Sequence, residues 1–154
     1  MNPIEPGFRP LFELEIEVLP PDSLGTSAGV ETRVVPFTRG SFSGPELSGT
    51  LLPGGTDWQD ILPDGSLEIR ARYLLETRAG ERIEVRSEGV RTGRPEVLAQ
   101  LARGVLLPAS AYYFRTAIRL RTPAPGLARL NHVLAISVGE RGPTSVRLSV
   151  FELL

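Results

Sequence analysis

The sequence predicts an all-β fold: an antiparallel β-barrel carrying one short helix near residues 95–103. Three observations lead there. Apolar and polar residues alternate along several short stretches, as they do on half-buried strands. The 16 Gly and 14 Pro fall between those stretches, where they act as turn punctuation. Strand-length segments recur at near-regular spacing with a single helical interruption, a pattern of barrels and sandwiches.

From Leu11 to Leu19 the chain alternates. Phe12, Leu14, Ile16 and Val18 share one face, and Glu13, Glu15 and Glu17 form a solvated acidic face. Pro20-Pro21 ends this strand. A second runs from Glu31 to Phe42 and is interrupted near Pro36, the mark of an edge or a bulge. Glu46 to Leu52 is a third, closed by Pro53-Gly54-Gly55. Ser66 to Arg78 places Leu67, Ile69, Ala71, Tyr73 and Leu75 on one side, and the turn Arg78 to Glu81 joins it to Arg82–Glu88 as a hairpin. Pro95 to Arg103 reads as the helix. It has Pro in its first turn, Glu96 early, Arg103 late, Gly104 beyond, and an apolar face of Val97, Leu98 and Leu101 suited to covering a barrel end. Tyr112–Thr122, Leu127–Gly139 and Ser145–Leu153 complete the strands. No repeat or linker divides the chain, so residues 1–154 form one domain, with 1–10 a loose arm. A domain of this size removes roughly two-thirds of its unfolded surface from water, enough for a core without staples.

The absent residue types exclude whole chemistries. With no Cys there are no disulfides, thiolate nucleophiles or cysteine metal sites. All 17 basic residues are Arg, so no lysine Schiff base can form. The single His, His132, cannot supply the histidine cages of common catalytic metals, and no nucleophile-elbow motif supports a serine relay through it. Neither metal nor cofactor is expected. The net charge of −1 gives no cationic field for nucleic acid. Charge is unevenly spread, with nine acids and three Arg in residues 1–60 against nine acids and fourteen Arg in 61–154. Pairing between oppositely charged neighbouring strands accounts for that split. No apolar run is long enough to span a membrane, and the first ten residues lack the pattern of a signal peptide, so the expected location is the cytoplasm.

The string Pro53-Gly54-Gly55-Thr56-Asp57-Trp58 stands out, because a tight glycine turn delivers an acid next to the chain's only Trp. A carboxylate pressed against an indole loses hydration, which raises its pKa and suits it to proton transfer. The plainer arrangement has Asp57 capping a turn and Trp58 packed in the core.

An ordered set of residues surrounds this string: Ser43-Gly44-Pro45, Gly49-Thr50, Asp64-Gly65, Ala71-Arg72-Tyr73, Gly89-Val90-Arg91, Tyr113-Phe114-Arg115-Thr116 and Leu130-Asn131. The set resembles the small bacterial and fungal proteins of uncharacterised protein family three-eleven (domain of unknown function thirty-two thirty-seven), from about Phe12 to Glu152. The resemblance implies a barrel like those of calycins or allene oxide cyclases, often oligomeric, with no settled activity. It also implies that Arg72 is a site residue. The chain departs from that family's pattern at Arg70, at Arg78-Ala79 and at Arg129.

Strand phase alone puts Arg72 opposite Leu67, Ile69, Ala71 and Tyr73, facing solvent beside Arg70 and Glu76. A β-bulge would turn it inward. Tyr113 and Arg115 share a face, either as a carbonyl donor and an anion holder or as part of a solvated row with Arg119 and Arg121. His132 lies on an apolar stripe, as a core histidine would, and Asn131 is either a pocket group or a strand-entry residue. The catalytic candidates are therefore Asp57 and Tyr113, and the ligand-binding candidates are Trp58, Arg72, Arg115 and Asn131. Three functions remain open. One is a cofactor-independent enzyme performing isomerisation, cyclisation or elimination on a small carbonyl-containing molecule. The others are a barrel that binds such a molecule, carbonyl-bearing or anionic, and an interaction domain with a packed interior. A homo-oligomer is compatible with each.

Overall fold

Strict alternation along the strands builds the wall. In the computed structural model, which describes residues 1–154, strand β1 (Phe8–Val18) turns Leu14 and Ile16 inward and Glu13, Glu15 and Glu17 outward. Strands β2 (Asp22–Ser27), β3 (Val30–Ser43), β4 (Ser48–Leu51), β5 (Thr56–Ile61), β6 (Leu67–Thr77) and β7 (Arg82–Thr92) follow. Helix α1 (Pro95–Ala102) then leads to β8 (Tyr113–Arg121), β9 (Leu134–Arg141) and β10 (Ser145–Leu153). The wall runs β1-β10-β9-β8-β7-β6, passes through β4 and β5 as one interrupted stave, and returns through β3 to β1. It is a closed antiparallel barrel of eight staves.

Two strands escaped the sequence reading. β2 extends the hairpin with β3 beyond the rim, and all six of its residues are exposed, so it has no alternation to read. β5 is short and holds Asp57 and Gln59 on its inner face, which hides its pattern from any apolar count. Conversely, residues 125–132 form 3₁₀ turns, not the start of a strand. His132 is consequently exposed rather than in the core, because the turns rotate it off the stripe. The strand after it covers only Leu134–Arg141. The expected loose arm ends sooner, since Phe8 and Arg9 already pair with Leu153 and Glu152.

A bulge in β3 reconciles two inward runs. The register with β1 passes from Glu17↔Arg39 to Val18↔Phe37, skipping Thr38, so Phe37 and Phe42 both reach the interior. At one end Leu11, Phe12, Phe42, Leu47 and Leu130 close the barrel, with the Phe12 and Phe42 rings edge to face at 5.3 Å. Glu152, only 3% exposed, lies at this end between Arg9 (2.7 Å) and Arg129 (2.8 Å). Full burial of Leu14, Leu75, Ile83 and Val85 stabilises the midsection by about 1.5–3 kcal/mol each. Outside, charged strands pair as their composition implied: Arg39 with Glu17, Arg70 with Asp60, Arg72 with Glu84 and Arg82 with Glu76. No helix is long and apolar enough to cross a membrane.

Candidate functional site

The other end of the barrel is not packed shut. A cavity of about 50 Å³ for a water-sized sphere opens there, walled by apolar side chains that include Val35, Phe37, Ile69, Ala71 and Phe114. Polar groups enter it from six strands: Arg33 of β3, Asp57 and Gln59 of β5, Tyr73 of β6, Ser87 and Arg91 of β7, Thr116 of β8 and Arg141 of β9. Helix α1 flanks this opening, since Leu98, Ala99 and Ala102 share a surface cleft with Arg33, Leu67 and Arg91.

Asp57 is fixed by a short relay. Arg33 Nε donates to Gln59 Oε1 at 2.8 Å, which orients the amide so that Gln59 Nε2 donates to Asp57 Oδ2 at 2.7 Å. The other oxygen, Asp57 Oδ1, is buried without a hydrogen-bond partner. Burial raises the Asp57 pKa from 3.8 to about 6, against the opposing pull of the Gln59 hydrogen bond and the Arg91 charge. The Arg70 backbone amide also lowers it, though it lies outside hydrogen-bonding geometry to Oδ1. Two further buried atoms of the cavity lack partners: the Tyr73 hydroxyl and Arg91 Nε. Desolvation pushes the Tyr73 hydroxyl well above the ordinary tyrosine range, so it stays a proton donor at neutral pH. Arg91 is lowered to about 10, by burial first and then by the neighbouring charges of Arg141 and Arg33. It remains a cation at neutral pH.

The Pro53-Gly54-Gly55 turn has a definite role. Gly54 adopts φ +102°, and a Cβ at Gly55 would stand 2.6 Å from the Tyr73 Cβ, so glycine lets β5 start close against Tyr73. The turn thereby sets both Asp57 and Tyr73 in the cavity wall.

Of the six catalytic and ligand-binding candidates named from sequence, only Asp57 lies in the cavity. Trp58 is 44% exposed on the outer surface, because consecutive residues of a strand face opposite ways. Aliphatic and Phe side chains, not the indole, desolvate Asp57. Arg72 points outward and forms two bonds with Glu84 Oε2, at 3.1 and 2.7 Å. The β6–β7 register is uninterrupted from Leu67↔Arg91 to Glu76↔Arg82, so no bulge turns Arg72 inward. Tyr113 is exposed, and the Arg115 guanidinium stacks 4.9 Å from its ring centroid on the outer face while donating to the Phe114 carbonyl. Asn131 spends its side chain on the backbone of Thr122, accepting from the N–H at 2.8 Å and donating to the carbonyl at 2.9 Å. The structure therefore does not bring these five together with Asp57.

The groups that do accompany Asp57 were readable by phase. Arg33 continues the inward run of Val35 and Phe37, and Gln59 follows Asp57 by two. Arg91 continues Ile83, Val85 and Ser87 once β7 is carried past Glu88, and Arg141 continues Ala135, Ser137 and Gly139. No group of three His, Cys, Asp or Glu side chains gathers as metal ligands.

Known proteins share this architecture. A UPF0311 protein of Clostridium acetobutylicum is 30% identical over 150 residues, 97% of this chain and 95% of the relative. The crystal structure of a conserved protein of unknown function from Rhodopseudomonas palustris superposes with a TM-score of 0.93 at 30% identity, covering 100% of both chains. A crystal structure of an enzyme from Penicillium herquei matches with a TM-score of 0.76 over 100% of this chain and 98% of the other, and its 20% identity indicates a common fold alone. With residues 6–153 matching the family model and this barrel underlying the match, the chain belongs to the family described as protein of unknown function (DUF3237).

Proposed function

We propose that the protein is an acid/base enzyme that acts, with its own side chains and no cofactor, on a small carbonyl-bearing molecule held in the barrel cavity. The observation that carries this reading is Asp57: a buried carboxylate in the cavity wall, with one oxygen anchored by Gln59 and the other unpartnered. Oδ1 takes a proton from the carbon beside the carbonyl. The electron pair left on that carbon moves onto the carbonyl oxygen, where the Tyr73 hydroxyl donates to the developing oxyanion. Return of the proton to a different atom completes an isomerisation, and departure of a leaving group completes an elimination. With a pKa of about 6, Asp57 is mostly ionised at neutral pH yet basic enough to hold the proton between steps. Tyr73 replaces Tyr113 in this scheme. The Penicillium herquei neighbour is an enzyme, so a barrel of this shape is compatible with catalysis, although a shared fold transfers no residue roles. The reading takes the cytoplasm as the site of action and a small organic molecule as the partner.

Native mass spectrometry of the purified protein for a co-purifying small molecule, followed by a metabolite screen, tests the proposal. Turnover of the molecule found should rise with pH through about 6 and level off above it, as Asp57 ionises. Asp57→Asn should retain binding and lose turnover. Undiminished turnover in that variant would eliminate Asp57 as the base. Binding without turnover in the parent would make the barrel a carrier.

A further inference from the structure

We infer that Arg33, Arg91 and Arg141 at the cavity mouth form the seat of a carboxylate, so that the molecule acted on at Asp57 is a small oxo acid and not a neutral ketone. This inference rests on the proton-transfer reading for the reacting end of the molecule, and on separate residues for the anionic end. The three guanidiniums line one cavity whose only carboxylate is Asp57. None of the three is ion-paired, whereas nine of the chain's other arginines are. Arg33 uses Nε on Gln59, and Arg141 uses Nη1 on the carbonyls of Gly142 and Ser145. Arg91 is 4% exposed and makes no side-chain hydrogen bond, and its Nε is an unpartnered buried donor. A buried cation without a counter-ion is costly, and groups perturbed in this way cluster at functional sites, where a ligand of opposite charge supplies the partner.

Position along the strands separates the two ends of that ligand. Arg33 pairs with Gln59, Arg91 with Leu67 and Arg141 with Val146, all toward the open end, while Asp57 lies two residues deeper than the Arg33–Gln59 pair along β5, and its partner Ala71 lies four residues from Leu67 along β6. Two residues of strand correspond to roughly 7 Å, a span of a few carbon–carbon bonds. A carboxylate at the guanidiniums thus leaves a carbonyl a few carbons away beside Asp57 and Tyr73. The narrow cavity, with 10 of its 18 lining residues hydrophobic, suits a flat two-oxygen head on a short carbon chain better than a tetrahedral phosphate.

The probes are oxo acids of three to six carbons, including 4-oxopentanoate, each with its neutral amide. They would be titrated into the full-length protein at low salt, with the arginine Nε–H signals followed by nitrogen-15 NMR. At least one acid should bind about tenfold or more tightly than its amide while moving the signals of Arg33, Arg91 and Arg141. Arg91→Met and the rim variant Arg141→Gln should each remove that preference. Arg72→Ala on the outer wall should keep it, and Asp57→Asn, which deletes the one nearby negative charge, should bind the acid at least as well. Equal binding of acids and amides throughout the series, or loss of no affinity in either arginine variant, would overturn the inference. Inorganic phosphate binding as tightly as the best acid would overturn the carboxylate assignment too. If the acids show no preference while Asp57→Asn abolishes turnover of a neutral compound from the metabolite screen, the carboxylate seat falls and the proton-transfer reading stands. If the acids bind as described while Asp57→Asn leaves turnover intact, the seat stands and the base assignment falls.

Discussion

Asp57→Asn should make the protein more stable above pH 6, and the gain follows from the cavity's electrostatics. Burial raises the Asp57 pKa from 3.8 to about 6, so the folded state favours the protonated acid. For a raised carboxyl, the stabilising contribution is complete below the unfolded pKa and is lost as pH rises through the folded one. The displacement corresponds to about 3 kcal/mol, present below pH 4 and gone by about pH 7. The groups facing Asp57 are Arg33 from β3, Tyr73 from β6 and Arg91 from β7, with Arg141 of β9 beyond, and only Asp57 among them titrates in that window. Asn keeps the shape and lets its oxygen accept from Gln59 Nε2, so the anchoring bond survives while the charge is removed. The variant should melt higher than the parent at pH 8 by up to about 10 °C, since each kcal/mol moves the midpoint of a domain this size by about 2–4 °C. The two should converge near pH 4. The assay is paired thermal melts from pH 4 to 8, read as the difference between proteins so that other titrating groups cancel. A variant that melts below the parent at pH 8, or a difference independent of pH, would refute the reasoning.

Two further expectations concern the rest of the barrel. Glu152→Ala at the closed end should cost about 1–3 kcal/mol, since it removes the buried acceptor of Arg9 and Arg129 while both arginines can still reach water; because bonds from Arg9 and Arg129 hold that carboxyl below its usual range, the difference in melting between parent and variant should shrink as the pH falls below about 4.5. Gly139→Ala should cost about 1–3 kcal/mol and weaken ligand binding, because the new Cβ would lie 2.6 Å from the Phe114 ring and drive it into the cavity; unchanged melting and binding would show that the ring is not held there.

The barrel was legible because its strands are long and its period is clean. β6 alternates without fault from Leu67 to Thr77, and β1 shows its acidic outer face directly. The site is less legible because strand phase, and not rarity of residue type, marks its members. Trp58 is rare and adjacent to Asp57, yet adjacency on a strand means opposite faces. Arg33, Gln59, Arg91 and Arg141 are ordinary residue types, and each interrupts an inward apolar run, where a polar side chain must have a reason. Carrying β7 to Thr92 would have placed Arg91 inward, but Gly89 and Val90 blur the alternation just before it. Asn131 and His132 lie off a strand for a different reason. The 3₁₀ turns over 125–132 keep apolar residues at spacings that imitate a strand.

The three unpartnered buried atoms, Asp57 Oδ1, Tyr73 Oη and Arg91 Nε, all belong to residues lining the same cavity. Elsewhere in the interior polar groups find partners, as the buried Thr122 hydroxyl does in donating to the Arg82 carbonyl at 2.7 Å. Stability has therefore been given up in one place, and energetic coupling between Asp57 and Arg91 makes this testable. Each charge alone is desolvated, and each is partly relieved by the other. Asp57→Asn removes one desolvation cost and also the attraction to Arg91. Arg91→Met likewise removes its own cost and the same attraction. The double variant removes both costs but loses the attraction once, so its gain should exceed the sum of the two single gains. At an effective dielectric near 20, an attraction between two such charges in one cavity is worth on the order of 1–2 kcal/mol, above the scatter of melting experiments. A double-mutant cycle at pH 8 measures it by thermal and denaturant unfolding. Strict additivity would mean that the two charges do not sense each other across the cavity, and a double variant less stable than either single one would mean that the pair supports the fold rather than a ligand.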